Sequence, residues 1–106
     1  MFGKITLYRS VGADELADIQ KIGKFNLGNG KMEVKQFGLS LDETRMFKNH
    51  PIVNQTNIVG AKIPNRVLFS LDFITVDVGI FKSDIVTIRS YMIDTFNNSL
   101  LGIIFL

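Results

Sequence analysis

Two short segments of this chain combine residue types that could do chemistry: Leu7-Tyr8-Arg9-Ser10 and Phe37-Gly38-Leu39-Ser40. Each places an aromatic ring near a polar group at the end of an expected strand. Arg9 brings a planar fork of donors that stays charged at any relevant pH and matches phosphate oxygens. Ser40 brings a hydroxyl at the opening of an expected helix, a position that also favours anions. If the two strand ends converge, they make a cleft for a phosphate-bearing ligand such as a dinucleotide or RNA. Each residue also has a structural use. Arg9 alternates with Ile5 and Leu7 and so points toward the core side, where its charge needs either a carboxylate or a ligand phosphate. Ser40 begins Ser40-Leu41-Asp42-Glu43, a capping box whose hydroxyl and carboxylate satisfy backbone N–H groups reciprocally. The Phe37 ring either fills the core or stacks on a flat heterocycle.

Other polar residues are fewer. His50, in Lys48-Asn49-His50-Pro51, is the single histidine. It titrates near neutrality and could move a proton, or it is a solvated loop residue; alone it makes no metal site. The glutamates Glu15, Glu33 and Glu43 all lie in the first half, whereas the second half carries Asp72, Asp77, Asp84 and Asp94. Asp84 opens the apolar run Ile85-Val86-Thr87-Ile88, and Asp77 interrupts an apolar alternation where an unpaired acid is costly. Either could instead cap a turn. The chain has no P-loop, no G-x-G-x-x-G, no H-E-x-x-H and no G-x-S-x-G, so the signatures of four large enzyme classes are missing.

The elements that must position these residues read as α+β. Lys4–Arg9 alternates as a strand. Ala13–Ile22 reads as a helix, with Leu16, Ile19 and Ile22 at spacing three, acids Asp14 and Glu15 in its first turn and Gly23 just past its end. Gly28-Asn29-Gly30 signals a turn, Met32–Leu39 a strand, and a short helix follows from the Ser40 cap to about Phe47. Ile58–Ile63, Val67–Phe73 and Ile85–Tyr91 are strand-like, with Pro64-Asn65 between the first two, and Ser99–Leu106 makes a possible last strand. The expectation is two early helices among about six strands.

Length and composition fit one domain, residues 1–106. Hydrophobic residues make up 46% and charged residues 21%, which argues against disorder. The net charge of +2 is compatible with nucleotide phosphates without demanding them. Cysteine is absent, which excludes disulfides, thiolate metal sites and a cysteine nucleophile. No apolar run approaches the roughly 18 residues of a membrane span, and the first residues lack the apolar stretch of a secretory signal.

The segments Leu7-Tyr8-Arg9-Ser10, Glu15-Leu16 through Ile19, Gly23-Lys24-Phe25 and Lys35-Gln36-Phe37-Gly38-Leu39-Ser40 resemble a group of bacterial toxin domains. These are the C-terminal domains of Rhs and contact-dependent inhibition proteins, the polymorphic toxins; the likeness covers about residues 4–48. It implies an ADP-ribosyltransferase-like fold, a small split β-sheet clasping NAD. It also implies that Arg9 lies near the NAD phosphate or ribose with Tyr8 beside it, and that Phe37 and Ser40 hold the nicotinamide half. The late glutamate of that group has no counterpart after Glu43, so Asp84, or less readily Asp77, takes the catalytic place with a shorter reach. The likeness further implies secretion or delivery into the cytoplasm of a target cell, a macromolecular target there, and a cognate immunity protein as partner. Two other readings stay open. One is a metal-independent RNase toxin using His50, Lys35 and Tyr91 as acid, base and phosphate stabiliser. The other is a non-catalytic interaction domain.

Overall fold

Alternation along Lys4–Val11 makes the first strand, β1, with Leu7 and Val11 fully buried on one face. The computed structural model describes residues 3–26, 34–49, 57–68, 72–74 and 85–106. After β1 they form helix α1 (Ala13–Ile22), β2 (Val34–Gly38), α2 (Leu41–Lys48), β3 (Asn57–Pro64) and the single turn α3 (Asn65–Leu68). Then come β4 (Asp72–Ile74), β5 (Ile85–Arg89), a 3-10 turn (Ser90–Met92), α4 (Ile93–Ser99) and β6 (Gly102–Phe105). The described strands make one antiparallel sheet in the order β4-β5-β2-β1-β3-β6, giving a small α+β domain. Among the described residues no helix is long and apolar enough to cross a membrane.

The sheet has a weak line through its middle. β1 pairs with β3 over its whole length, from Lys4 opposite Pro64 to Val11 opposite Asn57. β2 likewise pairs with β5 from Val34 opposite Arg89 to Gly38 opposite Ile85. Between β1 and β2, however, the ladder is confined to Tyr8 opposite Gly38. Two three-stranded halves therefore meet at a narrow seam.

The core lies on the face that carries Leu7 and Val11. Phe25, from the segment after α1, Phe37 of β2 and Phe96 of α4 meet there with ring centroids 5.2, 5.3 and 5.9 Å apart. Ile19, Val59, Ala61, Ile63, Val86 and Ile88 complete the cluster. Gly23 makes this possible. It ends α1 in the left-handed region (φ 70°), donates its N–H to the Ile19 carbonyl at 2.8 Å and turns the chain so that Phe25 drops inward. Ser10, Ile58, Ile85 and Thr87 are also buried but stand outside that cluster, and the register places them on the other face.

Several expected boundaries move. The strand expected over Val67–Phe73 is instead a helical turn at Asn65–Leu68 and the short β4, and the Asn65 N–H bond to the Gly3 carbonyl at 2.9 Å is the last link of the β1–β3 ladder before the turn. The strand expected to reach Tyr91 stops at Arg89, and α4 follows, an element not anticipated from the sequence. Its signal was present, since Met92, Ile93, Phe96 and Leu100 recur at helical spacing and all pack into or against the core. Ser99, expected to open the last strand, closes α4 instead. Spacing three along α1 also misleads at its end. Each such step rotates about 60° short of a full turn, and Ile22 emerges 38% exposed while Ile19 is buried. The Gly28-Asn29-Gly30 turn and the first residues of the expected strand at Met32 lie outside the described residues.

α4 is tied to the aromatic core by Asn97, whose Oδ1 accepts from the Phe25 N–H (2.9 Å) and whose Nδ2 donates to the Phe25 carbonyl (2.7 Å). One side chain thus satisfies both main-chain groups of a fully buried residue. Asn97→Ala is expected to lower unfolding free energy by about 1–3 kcal/mol, the cost of orphaning those groups. A urea midpoint unchanged from wild type would show that solvent replaces the amide.

Candidate functional site

Arg9, Glu15 and Lys35 meet where β1 and β2 part. Arg9 lies on the core face of β1, as its alternation with Leu7 requires, and Lys35 shares a β2 face with the buried Phe37. A core face cannot hold two cations without countercharge. Glu15 supplies it from the first turn of α1, which the short Gly12 connection folds back over the end of β1. The Arg9 guanidinium grips Glu15 in a two-pronged pair, Nε to Oε2 at 2.7 Å and Nη2 to Oε1 at 3.1 Å. Lys35 Nζ donates to Oε2 at 3.2 Å. Arg9 Nη1 also donates to the Gln36 carbonyl at 3.1 Å, where the β1–β2 ladder has lapsed. The guanidinium thereby replaces a missing backbone bond across the seam.

The three side chains are 15%, 25% and 7% exposed for Arg9, Glu15 and Lys35. Burial alone would push the Glu15 carboxyl up, but the hydrogen bonds and charge of Arg9, followed by Lys35, outweigh it and hold the group below its ordinary value of 4.5. Lys35 is pushed down, first by burial and next by the Arg9 charge, against the opposing pull of Glu15 and Asp18. Arg9, Lys35 and Glu15, the three bonded groups, carry one net positive charge, which Asp18 offsets from a distance without bonding to either cation. Donors are in excess too: the guanidinium has five N–H groups and the ammonium three, of which bonds among the described residues use three and one. Gly12, the residue capping α1, has no side chain to satisfy the first-turn N–H groups.

The remaining expected site residues have other positions. Phe37 is 1% exposed, its ring spent on Phe25 and Phe96, so the expectation that it stacks on a ligand heterocycle is corrected: it is a core residue. Ser40 acts as a helix cap. Its Oγ accepts from the Glu43 N–H at 3.2 Å, and its carbonyl accepts from the Thr44 N–H and hydroxyl at 3.1 and 2.8 Å. No hydrogen bond among the described residues joins Ser40 to Arg9. Tyr8 is half-buried and alternates to the face of β1 opposite Arg9. Asp77, Asp84 and His50 lie outside the described residues. Of the residues proposed for RNA cleavage, Lys35 is buried in the cluster and Tyr91 is 74% exposed, with no bond between them among the described residues. Glu15 is the member that sequence reasoning placed only as a helix-end acid. The signal that could have found it is the Arg9 side chain's need for a carboxylate on the core side. No family model, no curated protein and no solved structure matches this chain.

The linkage of Glu15 to stability follows from its lowered pKa. Because the unfolded carboxyl protonates first as pH falls, its stabilisation is full above the ordinary value of 4.5 and is lost as pH drops through the folded value. Glu15→Gln leaves Arg9 and Lys35 facing each other uncompensated. It is expected to cost about 2 kcal/mol near neutrality, below the figure for a fully buried pair because Glu15 retains some solvent. The gap should close as pH falls through the acid range. Urea midpoints measured from neutral to acidic pH check this; wild-type and variant curves that stay parallel would show the pair carries no pH-linked stability.

Proposed function

We propose that this chain binds a phosphate-bearing nucleotide at the seam held by Arg9 and Lys35, and that NAD, implied by the toxin-domain resemblance, is the first ligand to consider. One observation carries the reading: two largely buried cations share a single carboxylate and keep unused donors. A phosphate complements both the excess charge and the guanidinium geometry. Under this reading Arg9 contacts the phosphate through its uncommitted N–H groups, Lys35 adds charge from below, and Glu15 fixes the positions of both. The narrow join of β1 and β2 supports the comparison with a split ADP-ribosyltransferase-like sheet. Any ribosyl transfer would draw its acid from Asp84 or Asp77, since no glutamate follows Glu43. The nicotinamide half would be held by groups other than the Phe37 ring, which is committed to the core. The wider proposal is a polymorphic toxin domain delivered into a target cell, acting there on a macromolecule and restrained by an immunity protein.

Lys35→Met separates binding from folding, because it removes the excess charge and leaves the Arg9–Glu15 pair intact. Calorimetric titration with NAD should show binding by the wild-type chain, competed by pyrophosphate, and at least about tenfold weaker binding by the variant. The variant's unfolding midpoint should be unchanged or raised, since Lys35 carries its charge against a burial cost. Absence of both NAD and pyrophosphate binding would overturn the proposal. Cleavage of tRNA by the pure chain in a parallel incubation, without NAD binding, would replace it with the ribonuclease reading.

A further inference from the structure

β6 closes one side of the sheet, and among the described residues no strand lies beyond it. Its residues, Gly102-Ile103-Ile104-Phe105, include no lysine, no proline and no charge, the usual devices that keep an edge strand from pairing. Register shows which backbone groups are available. The Leu106 N–H donates to the Ile58 carbonyl at 2.9 Å, and Phe105 lies opposite Val59. Antiparallel ladders alternate by two, so Leu106, Ile104 and Gly102 bond inward to β3. The N–H and C=O groups of Ile103 and Phe105 therefore point away from the sheet. Apolar surface gathers around them, with Leu101, Phe105 and Leu106 exposed at 54%, 47% and 49%. Alongside runs a groove of about 330 Å³ lined by Ile19, Gln20, Gly23, Leu101, Ile103 and Phe105.

We propose that β6 pairs antiparallel with β6 of a second copy of this chain, about a two-fold axis at Ile104, joining the two sheets into one. The edge is complementary to itself in this register. Ile103 of each copy faces Phe105 of the other, and the outward N–H and C=O groups of one strand meet the identical set on its neighbour. Ile103 and Phe105 also share a face, since they stand opposite the core residues Ala61 and Val59. In the pairing, the Phe105 ring of one copy stands beside Ile103 of the other, on the side where the groove lies. Each half-exposed ring thus covers its neighbour's groove, and the exchange closes after two copies. An uncharged strand meets its own copy without repulsion, and the edge offers no charge that would select a charged partner. A one-residue slip would set the inward-bonded Ile104 opposite the outward groups of its neighbour and leave those groups unpaired. This inference does not depend on nucleotide binding.

Sedimentation velocity on the whole chain from about 5 to about 500 µM tests it through the mass-action dependence of a dimer. The wild-type chain is expected to form a reversible dimer. Phe105→Lys places a charge in the neighbour's groove, and Phe105→Pro removes an outward N–H while sparing the inward Leu106 bond. Both should weaken association at least about tenfold, with far-UV circular dichroism unchanged. Hydrogen exchange on the wild-type chain gives a readout that needs no variant: the Ile103 and Phe105 amides should become more protected as concentration rises. A wild-type chain that stays monomeric across the range, amides that ignore concentration, or a dimer retained by both variants would overturn the proposal. Pairing of the edge only with a foreign strand would overturn it as well.

Discussion

The two-pronged ion pair between Arg9 and Glu15 holds together parts of the fold that the backbone ladder leaves nearly separate. β1 and β2 share a single register position, so the sheet alone does little to fix one half against the other. The guanidinium closes this gap from the side. Two of its nitrogens bind the Glu15 carboxylate and the third binds a carbonyl of β2. One side chain of β1 is thereby bonded to both α1 and the opposite half-sheet. Lys35 approaches the same carboxylate from β2, so three elements converge on one acid. Such a pair is sensitive to the loss of either partner, because what remains is an uncompensated charge in a poorly hydrated place.

The other constraint across the seam is aromatic. Phe37 comes from one half-sheet, while Phe25 and Phe96 come from the segment after α1 and from α4, and their rings meet in edge-on and tilted contacts. These arrangements suit ring quadrupoles better than face-to-face stacking. The ion pair and the aromatic cluster act on the same face of the sheet, one polar and directional, the other apolar and space-filling. Asn97 links α4 to the cluster through the backbone of Phe25, so a helix of seven residues holds its place. Its own helical propensity would not suffice, since helices this short are marginal without packing.

The sequence revealed what depends on local periodicity and obscured what depends on convergence. β1 and α1 were legible because alternation, first-turn acids and Gly23 are local signals, and the Ser40 cap was legible for the same reason. α4 was missed because strand-forming Ile and Phe residues flank it, and its helical spacing is brief. Phe37 stands near the end of β2 as expected, whereas β1 runs on past Arg9 to Val11, and neither position says how its side chain is used. Phe37 went to the core because alternation places it on the same face as Val86, its register neighbour. Arg9 was known to need a countercharge; that Glu15 provides it depends on how α1 folds back over β1, which pairwise spacing does not encode.

The clamp accounts for Arg9 and Glu15, but not for Lys35. A guanidinium and a carboxylate already balance, and a β2 residue neighbouring Ile88 on the core face would ordinarily be apolar. Retaining an ammonium there means burying most of a side chain whose charge is disfavoured by burial and by the cation next to it. Folding gains little from that arrangement, since a methionine of similar length would pack without the desolvation cost. Lys35 keeps one bond to Glu15 and, among the described residues, two further N–H donors without a protein partner, which is the feature the proposed anion would use. Lys35 is therefore the residue on which the proposed phosphate site rests, because the seam itself is already closed by the Arg9–Glu15 pair.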